Sequence, residues 1–257
     1  MSIKLSRLVV SGSDAASFLQ GQTSADINKL AFIGQDENDH HQGLSAICNR
    51  QGRVITLFWA IKIDNETFHL LIPDMLAEKM QKHLSIFIFR SKVKITLDEP
   101  TQTDLDTLPK ALIIPWITAE NSEEYVPQML SLDLLLAINF KKGCYTGQEI
   151  VARMQYLGKH KRRLALISAD NAADLTINAK LTDEAGKDAG SVVYVEGSRA
   201  LVVIRLEHCH NTLKINAPIH IEKIWHEEVP GRKGPGGVGQ QPTEREPAVC
   251  PGGQEGQ

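Results

Sequence analysis

The chain has 257 residues, 42% hydrophobic and 23% charged, and carries 28 Lys plus Arg against 31 Asp plus Glu for a formal net charge of −3. That is the composition of a globular protein large enough for a sizeable core and more than one structural unit, and it excludes a fibre or a wholly disordered, highly charged chain.

MSIKLSRLVVSG at the N-terminus lacks the uninterrupted apolar stretch of a secretory signal. No later apolar run approaches the roughly 18 residues a membrane span needs, so a cytoplasmic protein with no membrane partner is expected. Cys48, Cys144, Cys209 and Cys250 lie far apart with no CxxC pair. The expectation is thiols in a reducing compartment, not a disulfide framework or a four-cysteine zinc site.

LSRLVVSG reads as a strand ending at Gly12, after which Ser13 or Asp14 caps a helix through Phe18 and Leu19. GRVITLFWAIKI and TFHLLIP read as strands joined at Asp64-Asn65-Glu66, a hairpin-like turn. Met75, Leu76, Met80 and Leu84 fall near helical spacing from Asp74 to about Leu84, and KVKITL returns to strand. Strands and helices mix without regular βαβ repeats, which gives an α+β class. From Asp98 to Pro109 the chain becomes DEPTQTDLDTLP, a polar connector, and a second unit begins about Lys110. Between Leu164 and Ile224, short β-like runs separated by turn residues predict a small barrel or sandwich as a separate C-terminal domain. After Val229 the composition turns to Gly, Pro and Gln, too poor in large apolar residues to offset the entropy of ordering, and a disordered tail over 230–257 is expected.

The stretch KKGCYTGQEIVAR, from Lys141 to Arg153, places a cysteine after two lysines and before a helix. Thr146 and Glu149 have the T-x-x-E spacing of a capping box, with Tyr145 and Ile150 as its hydrophobic staple. The helix is expected to bury Ile150, Met154 and Leu157 and to end near a left-handed Gly158. A thiol beside a helix N-terminus and cations is a candidate thiolate. The plain alternative is a small buried hydrophobe among solvated lysines. From Lys141 to Arg163 seven cations face one acid, Glu149: this segment is +6, and the remainder of a −3 chain is −9. Such asymmetry suits an anionic partner such as a polyglutamate tail, a phosphate or RNA, or a merely solvated turn. His208, Cys209 and His210 lie at the end of an apparent strand, where alternation sends the two histidines to one face and the cysteine to the other, so no metal site is expected. GxGxxG, Walker A and GxSxG motifs are absent.

KKGCYTGQEIVAR, with FLQGQTSADI near the N-terminus, NRQGRVI in the middle and YVPQMLSLDLLLAINF ahead of the cysteine, resembles the YgfZ family. These are folate-binding, aminomethyltransferase-related proteins implicated in iron–sulfur protein maturation and tRNA methylthiolation. The blocks cover most of residues 3–165, and the β-rich stretch fits the family's terminal barrel. The resemblance implies a fold related to the glycine-cleavage T-protein, with residues 1–97 as the first part of an α+β folate-binding domain and 98–109 as a shortened connector. Residues 110–163 would complete that domain, ahead of a barrel over 164–229. It implies tetrahydrofolate or another reduced folate as cofactor. Cys144 would be the functional cysteine with Lys142 beside it, and Gln22, Asp26, Gln148, Glu149 and Arg153 would be candidates for the pterin and glutamate ends. The implied function is assistance to iron–sulfur cluster assembly or repair and thereby tRNA modification, with client proteins or cluster-assembly factors as partners. Two readings stand beside it. One is a folate-dependent aminomethyl- or methyltransferase in which Asp26 or Glu149 orients the folate nitrogen. The other is a non-catalytic RNA-binding module using the basic 141–163 segment.

Overall fold

The computed structural model describes residues 3–32, 43–110 and 113–225; the expected tail and Cys250 lie outside the described residues. The first sheet contains β1 (Leu5–Ser11), β2 (Leu44–Cys48), β3 (Val54–Lys62), β4 (Thr67–Pro73) and β5 (Lys94–Asp98), in the order β2-β3-β4-β1-β5 with every pair antiparallel. Helices α1 (Ala15–Gln20) and α2 (Asp74–Ser85) supply Phe18, Leu19, Ala77 and Met80 to a core with Ile55, Phe58 and Ala60 of β3. Leu57, Trp59 and Ile61 instead join a second core with Trp116, Leu130 and the C-terminal sheet residues Leu164, Val193 and Val203.

Both faces of β3 are therefore covered, which is why it reads as an unbroken apolar run. Its alternation is interrupted once: the register shifts between Ile47 and Cys48, so that Val54 falls in the same core as Leu57. A bulge of one residue moves every later side chain to the opposite face. β2, buried at all five positions, was not visible as a strand in the sequence because it lacks an alternating pattern.

Gly12 has a φ of 127° and a Cβ there would lie 2.0 Å from the Lys92 carbonyl oxygen, so the turn after β1 needs glycine. Asp14 stands at the N-cap of α1 without capping it through its side chain; its carboxylate accepts the Lys92 N–H at 2.7 Å.

The second sheet contains β6 (Arg162–Ala169), β7 (Lys180–Thr182), β8 (Asp188–Glu196), β9 (Arg199–Arg205) and β10 (Ile219–Ile224), ordered β10-β6-β9-β8-β7 and again antiparallel. The HCH run is not a strand end: Leu206–His208 forms a 3-10 turn and His208 Nδ1 lies 3.3 Å from the Asp183 carboxylate. The alternation expected there does not apply.

The polar stretch read as a connector contains a helix, α3 (Gln102–Asp106), with a complete capping box between Thr101 and Asp104. Asp104 is buried and accepts hydrogen bonds from Arg7 Nη1 (2.9 Å), His69 Nδ1 (2.7 Å), and the Thr101 hydroxyl and N–H (2.7 and 2.8 Å). α3 is thereby anchored to β1 and β4. Burial works to raise the Asp104 pKa, but the bonds from His69, Thr101 and Arg7 outweigh it and hold the carboxyl at about 2. A depressed carboxylate contributes stability that is fully present above its ordinary value of 3.8 and is lost as pH falls through about 2. Asp104→Ala is expected to destabilise the protein by about 3 kcal/mol at neutral pH, since it strands Arg7 without its main partner. In chemical denaturation, the gap between wild type and variant should narrow between those two pH values; a constant gap would show that the carboxylate charge is not what anchors α3.

Candidate functional site

The QTSAD segment after α1 and the INFKKGCYTGQE segment after the turn region are knitted together by buried bonds. Ser24 donates through its hydroxyl to the Ala137 carbonyl (2.7 Å) and accepts from the Ala46 N–H (2.9 Å), while its own carbonyl accepts from the Asn139 N–H (2.9 Å). Lys142 is 5% exposed, and its ammonium donates to the carbonyls of Thr23 and Ala25, the latter at 2.9 Å. Its Nζ lies 5.1 Å from the centre of the buried Tyr145 ring. Burial pulls the Lys142 pKa down to about 8, with the Asp26 carboxylate acting in the opposite direction.

Asn139 completes this junction. Its Oδ1 accepts the N–H groups of Lys141 and Lys142 at 2.8 and 3.1 Å, and its Nδ2 lies 3.4 Å from Asp26 Oδ2. The sequence reading missed Asn139; its signal is an Asn opening a turn that ends in Gly, a common Asx-turn setting.

The helix after the cysteine, α4, spans Gln148–Leu157 and starts differently from the expectation. Gly147, not Thr146, is its N-cap, in the left-handed conformation and with no side-chain cap. The orphan N–H of Tyr145 is taken by Gln148 Oε1 at 3.1 Å, so a glutamine one residue before the expected Glu149 makes the return bond. Gly147 is required by close approach, because a Cβ there would lie 2.4 Å from the Asn49 carbonyl oxygen. The NRQG loop thus packs backbone against backbone on the helix start. The buried face of α4 is also not the expected one: Gln148 and Val151 are buried, whereas Ile150 is 37% and Leu157 82% exposed. Gly158 ends the helix in an extended, not left-handed, conformation.

Cys144 is exposed, three residues ahead of the N-cap, and it is disulfide-bonded, which corrects the expectation that all four cysteines are thiols; Cys48 and Cys209 are free. Cys48, by contrast, is fully buried in the core beneath, and burial pushes its thiol up to about 12. Asp26 is mostly buried and also accepts from Gln20 Nε2 at 2.9 Å. Gln22 is half-buried, with a buried Oε1 that has no hydrogen-bond partner among the described residues. Gln148 is buried, while Glu149 and Arg153 are exposed on α4 and stand outside the junction. The structure therefore brings Gln22, Asp26 and Lys142 to one junction, with Gln148 bracing the adjoining loop.

The basic segment is smaller in space than in sequence. Lys142 is internal, and Arg163 is 1% exposed, with Nη1 on the Asp133 carboxylate (2.6 and 2.9 Å) and the Gln128 carbonyl (3.1 Å). Of the seven cations five remain at or near the surface, and against Glu149 they give an excess of +4, not +6.

Residues 161–228 match the family described as CAF17, C-terminal beta-barrel domain. The chain is 36% identical over 180 residues to the tRNA-modifying protein YgfZ of Photobacterium profundum, covering 67% of this chain and 53% of that protein. It is 27% identical over 229 residues to the tRNA-modifying protein YgfZ of Colwellia psychrerythraea, covering 62% of this chain and 68% of that one. The chain thus spans about half to two thirds of the length of these relatives. Among solved structures, it resembles the glycine cleavage system aminomethyltransferase T from Bartonella henselae with a TM-score of 0.61 at 12% identity, over 85% of this chain and 83% of that one. The expected α+β class, the T-protein-like fold and the C-terminal barrel are those of the structure.

Thr146→Ala should leave stability unchanged within about 0.5 kcal/mol, since no cap is lost. Gly147→Ala should cost more than about 2 kcal/mol through backbone strain and the clash with Asn49; similar denaturation midpoints for the two variants would restore the Thr146 cap. Lys142 titrates at about 8 when folded, below its ordinary 10.5, so the unfolded chain holds the proton over a range where the folded chain has released it. Stability of the wild type relative to Lys142→Met should therefore rise with pH between those values, by up to about 1 kcal/mol per pH unit. A flat difference would mean that the ammonium is effectively solvated.

Proposed function

Because the chain belongs to the YgfZ family, we propose that it binds a reduced folate beside Asp26 and uses Cys144 to assist iron–sulfur cluster assembly or repair, and through that tRNA modification. The observation that carries this reading is the fusion of the QTSAD and KKGCYTGQE segments into one hydrogen-bonded unit around Lys142. Two segments more than 100 residues apart in sequence share one junction, with the cysteine at its surface.

The residues present suit a folate. Gln22 Oε1 is a buried acceptor without a partner among the described residues, able to take a pterin N–H. Asp26 is a second acceptor held in place by Gln20. Arg153, exposed on α4, suits the carboxylates of a glutamate tail. Bound folate supplies a one-carbon-carrying nitrogen and a reducing pterin. Lys142 holds the carbonyls of Thr23 and Ala25 and so fixes the segment on which Gln22 and Asp26 stand. Gln148 braces the loop that presents Cys144. The relatives named as tRNA-modifying proteins support the last step of the proposal, and iron–sulfur client proteins or cluster-assembly factors are the partners it implies.

The T-protein-like fold keeps a transferase as the second reading, since such chemistry would turn on Asp26 and not on the thiol. The experiment pairs equilibrium binding of tetrahydrofolate and its polyglutamate with rescue of a strain lacking its own YgfZ, scored by methylthiolated tRNA. Arg153→Ala should weaken the polyglutamate about fivefold more than the monoglutamate, the size of an exposed ion pair. Cys144→Ser should bind folate normally and fail to rescue. Rescue by Cys144→Ser would favour the transferase, and no binding at millimolar folate would end the folate reading.

A further inference from the structure

We infer that Asn139 is a positioning residue that couples the Asp26 carboxylate to the loop carrying Cys144, so that whatever engages Asp26 alters how the cysteine is presented. The orientation of the Asn139 amide follows from its neighbours. Its oxygen accepts two backbone donors, Lys141 N–H at 2.8 Å and Lys142 N–H at 3.1 Å. The reverse flip would set an NH2 group against both, so the NH2 faces Asp26 Oδ2, at 3.4 Å. The Asn139 backbone is held separately, by its N–H on the Ser24 carbonyl at 2.9 Å. Thus the main chain at 139 is anchored to the QTSAD segment, and its side chain hydrogen-bonds both Asp26 and the turn two residues ahead of Cys144, whereas the Lys142 ammonium in that turn bonds the Thr23 and Ala25 carbonyls and meets Asp26 only through its charge.

The other side of Asp26 is equally committed. Oδ1 accepts from Gln20 Nε2 at 2.9 Å, and Gln20 Oε1 accepts the Ile27 N–H at 2.9 Å, which locks the carboxylate to its own segment. Asp26 is therefore a fixed point, and the long bond to Asn139 is the compliant one. A ligand donor that takes Asp26 Oδ2 removes the acceptor from the Asn139 amide, and the amide is the group that sets the Lys141–Lys142 turn. The inference rests on the reading that Asp26 and Cys144 serve one site.

The test is a double-mutant cycle in the full chain, reading the iodoacetamide alkylation rate of Cys144 in the reduced protein by peptide mass spectrometry. Asp26→Ala should change that rate at least about twofold in the wild-type background, the smallest coupling such cycles resolve. In Asn139→Ala the Asp26 effect should shrink to the part its charge exerts on Lys142. Asn139→Ser guards against misfolding: its hydroxyl can still accept from the turn but is too short to reach Asp26, and it should shrink the Asp26 effect likewise. An equal Asp26 effect in all backgrounds, or none in the wild type, overturns the inference. Tetrahydrofolate binding, measured separately by calorimetry, keeps the two readings apart. Coupled rates without folate binding overturn the ligand alone, whereas folate binding with additive rates overturns the role of Asn139 alone.

Discussion

A lysine ammonium inside a protein has to be met by acceptors, and the arrangement of this site follows from meeting that of Lys142. Leaving a buried charge without hydrogen bonds costs far more than the few kcal/mol by which a fold is stable. Here the acceptors are main-chain carbonyls of Thr23 and Ala25, which are available because the chain leaves α1 in an irregular turn and not in a second regular element. The Tyr145 ring lies nearby, and the Asp26 carboxylate is an opposite charge that favours the ammonium form of Lys142. The cysteine loop is thus attached to the N-terminal sheet by a charge that belongs to the loop and acceptors that belong to the sheet's partner segment.

A second constraint acts on the other side of the loop and uses glycine in place of charge. Gly147 and Gly52 both have positive φ, and Cβ atoms added to them would lie 2.4 Å from the Asn49 oxygen and 2.9 Å from Ile150 Cβ. The NRQG loop and the first turn of α4 approach as closely as backbone allows. NRQGRVI, one of the blocks that carries the family resemblance, is explained here by packing. Its glycine permits the approach, and Asn49 organises the loop by accepting the N–H groups of Gln51 and Arg53, both at 3.0 Å.

The sequence made the strands of both sheets legible wherever residues alternate or form long apolar runs, as in TFHLLIP and RALVVIRL. It failed at β2, which is short and buried on both faces, and at α3, whose polar composition reflects a helix fixed by one buried carboxylate and not by an apolar face. The T-x-x-E signature at Thr146 was a local signal overridden by a tertiary one. Once Gly147 is forced into the left-handed region by the approach of Asn49, Thr146 no longer occupies the cap, and Gln148 closes the turn. Counting charges along 141–163 could not reveal that Lys142 and Arg163 point inward, because burial of a cation depends on acceptors far away in sequence. Asn139 was hidden for a related reason: its turn-forming half is local, but its contact with Asp26 spans more than 100 residues.

The C-terminal sheet has its own part in holding this loop. β6 follows α4, and its second residue, Arg163, is buried with one nitrogen, Nη1, shared between both oxygens of the Asp133 carboxylate and the Gln128 carbonyl. Gln128 in turn donates to the Val151 carbonyl of α4 at 2.7 Å. The Ser131 hydroxyl accepts from the Leu164 N–H and donates to the Trp225 carbonyl, so one serine joins the first strand of the barrel to the residue following its last. α4 is therefore braced at its start by the NRQG loop and in its first turn through Gln128 by the base of the barrel. A solvent-exposed residue on a loop would ordinarily sample many positions. Cys144 stands between Lys142, fixed to the N-terminal sheet's partner segment, and a helix fixed to both sheets, so the backbone on either side of it is held in place.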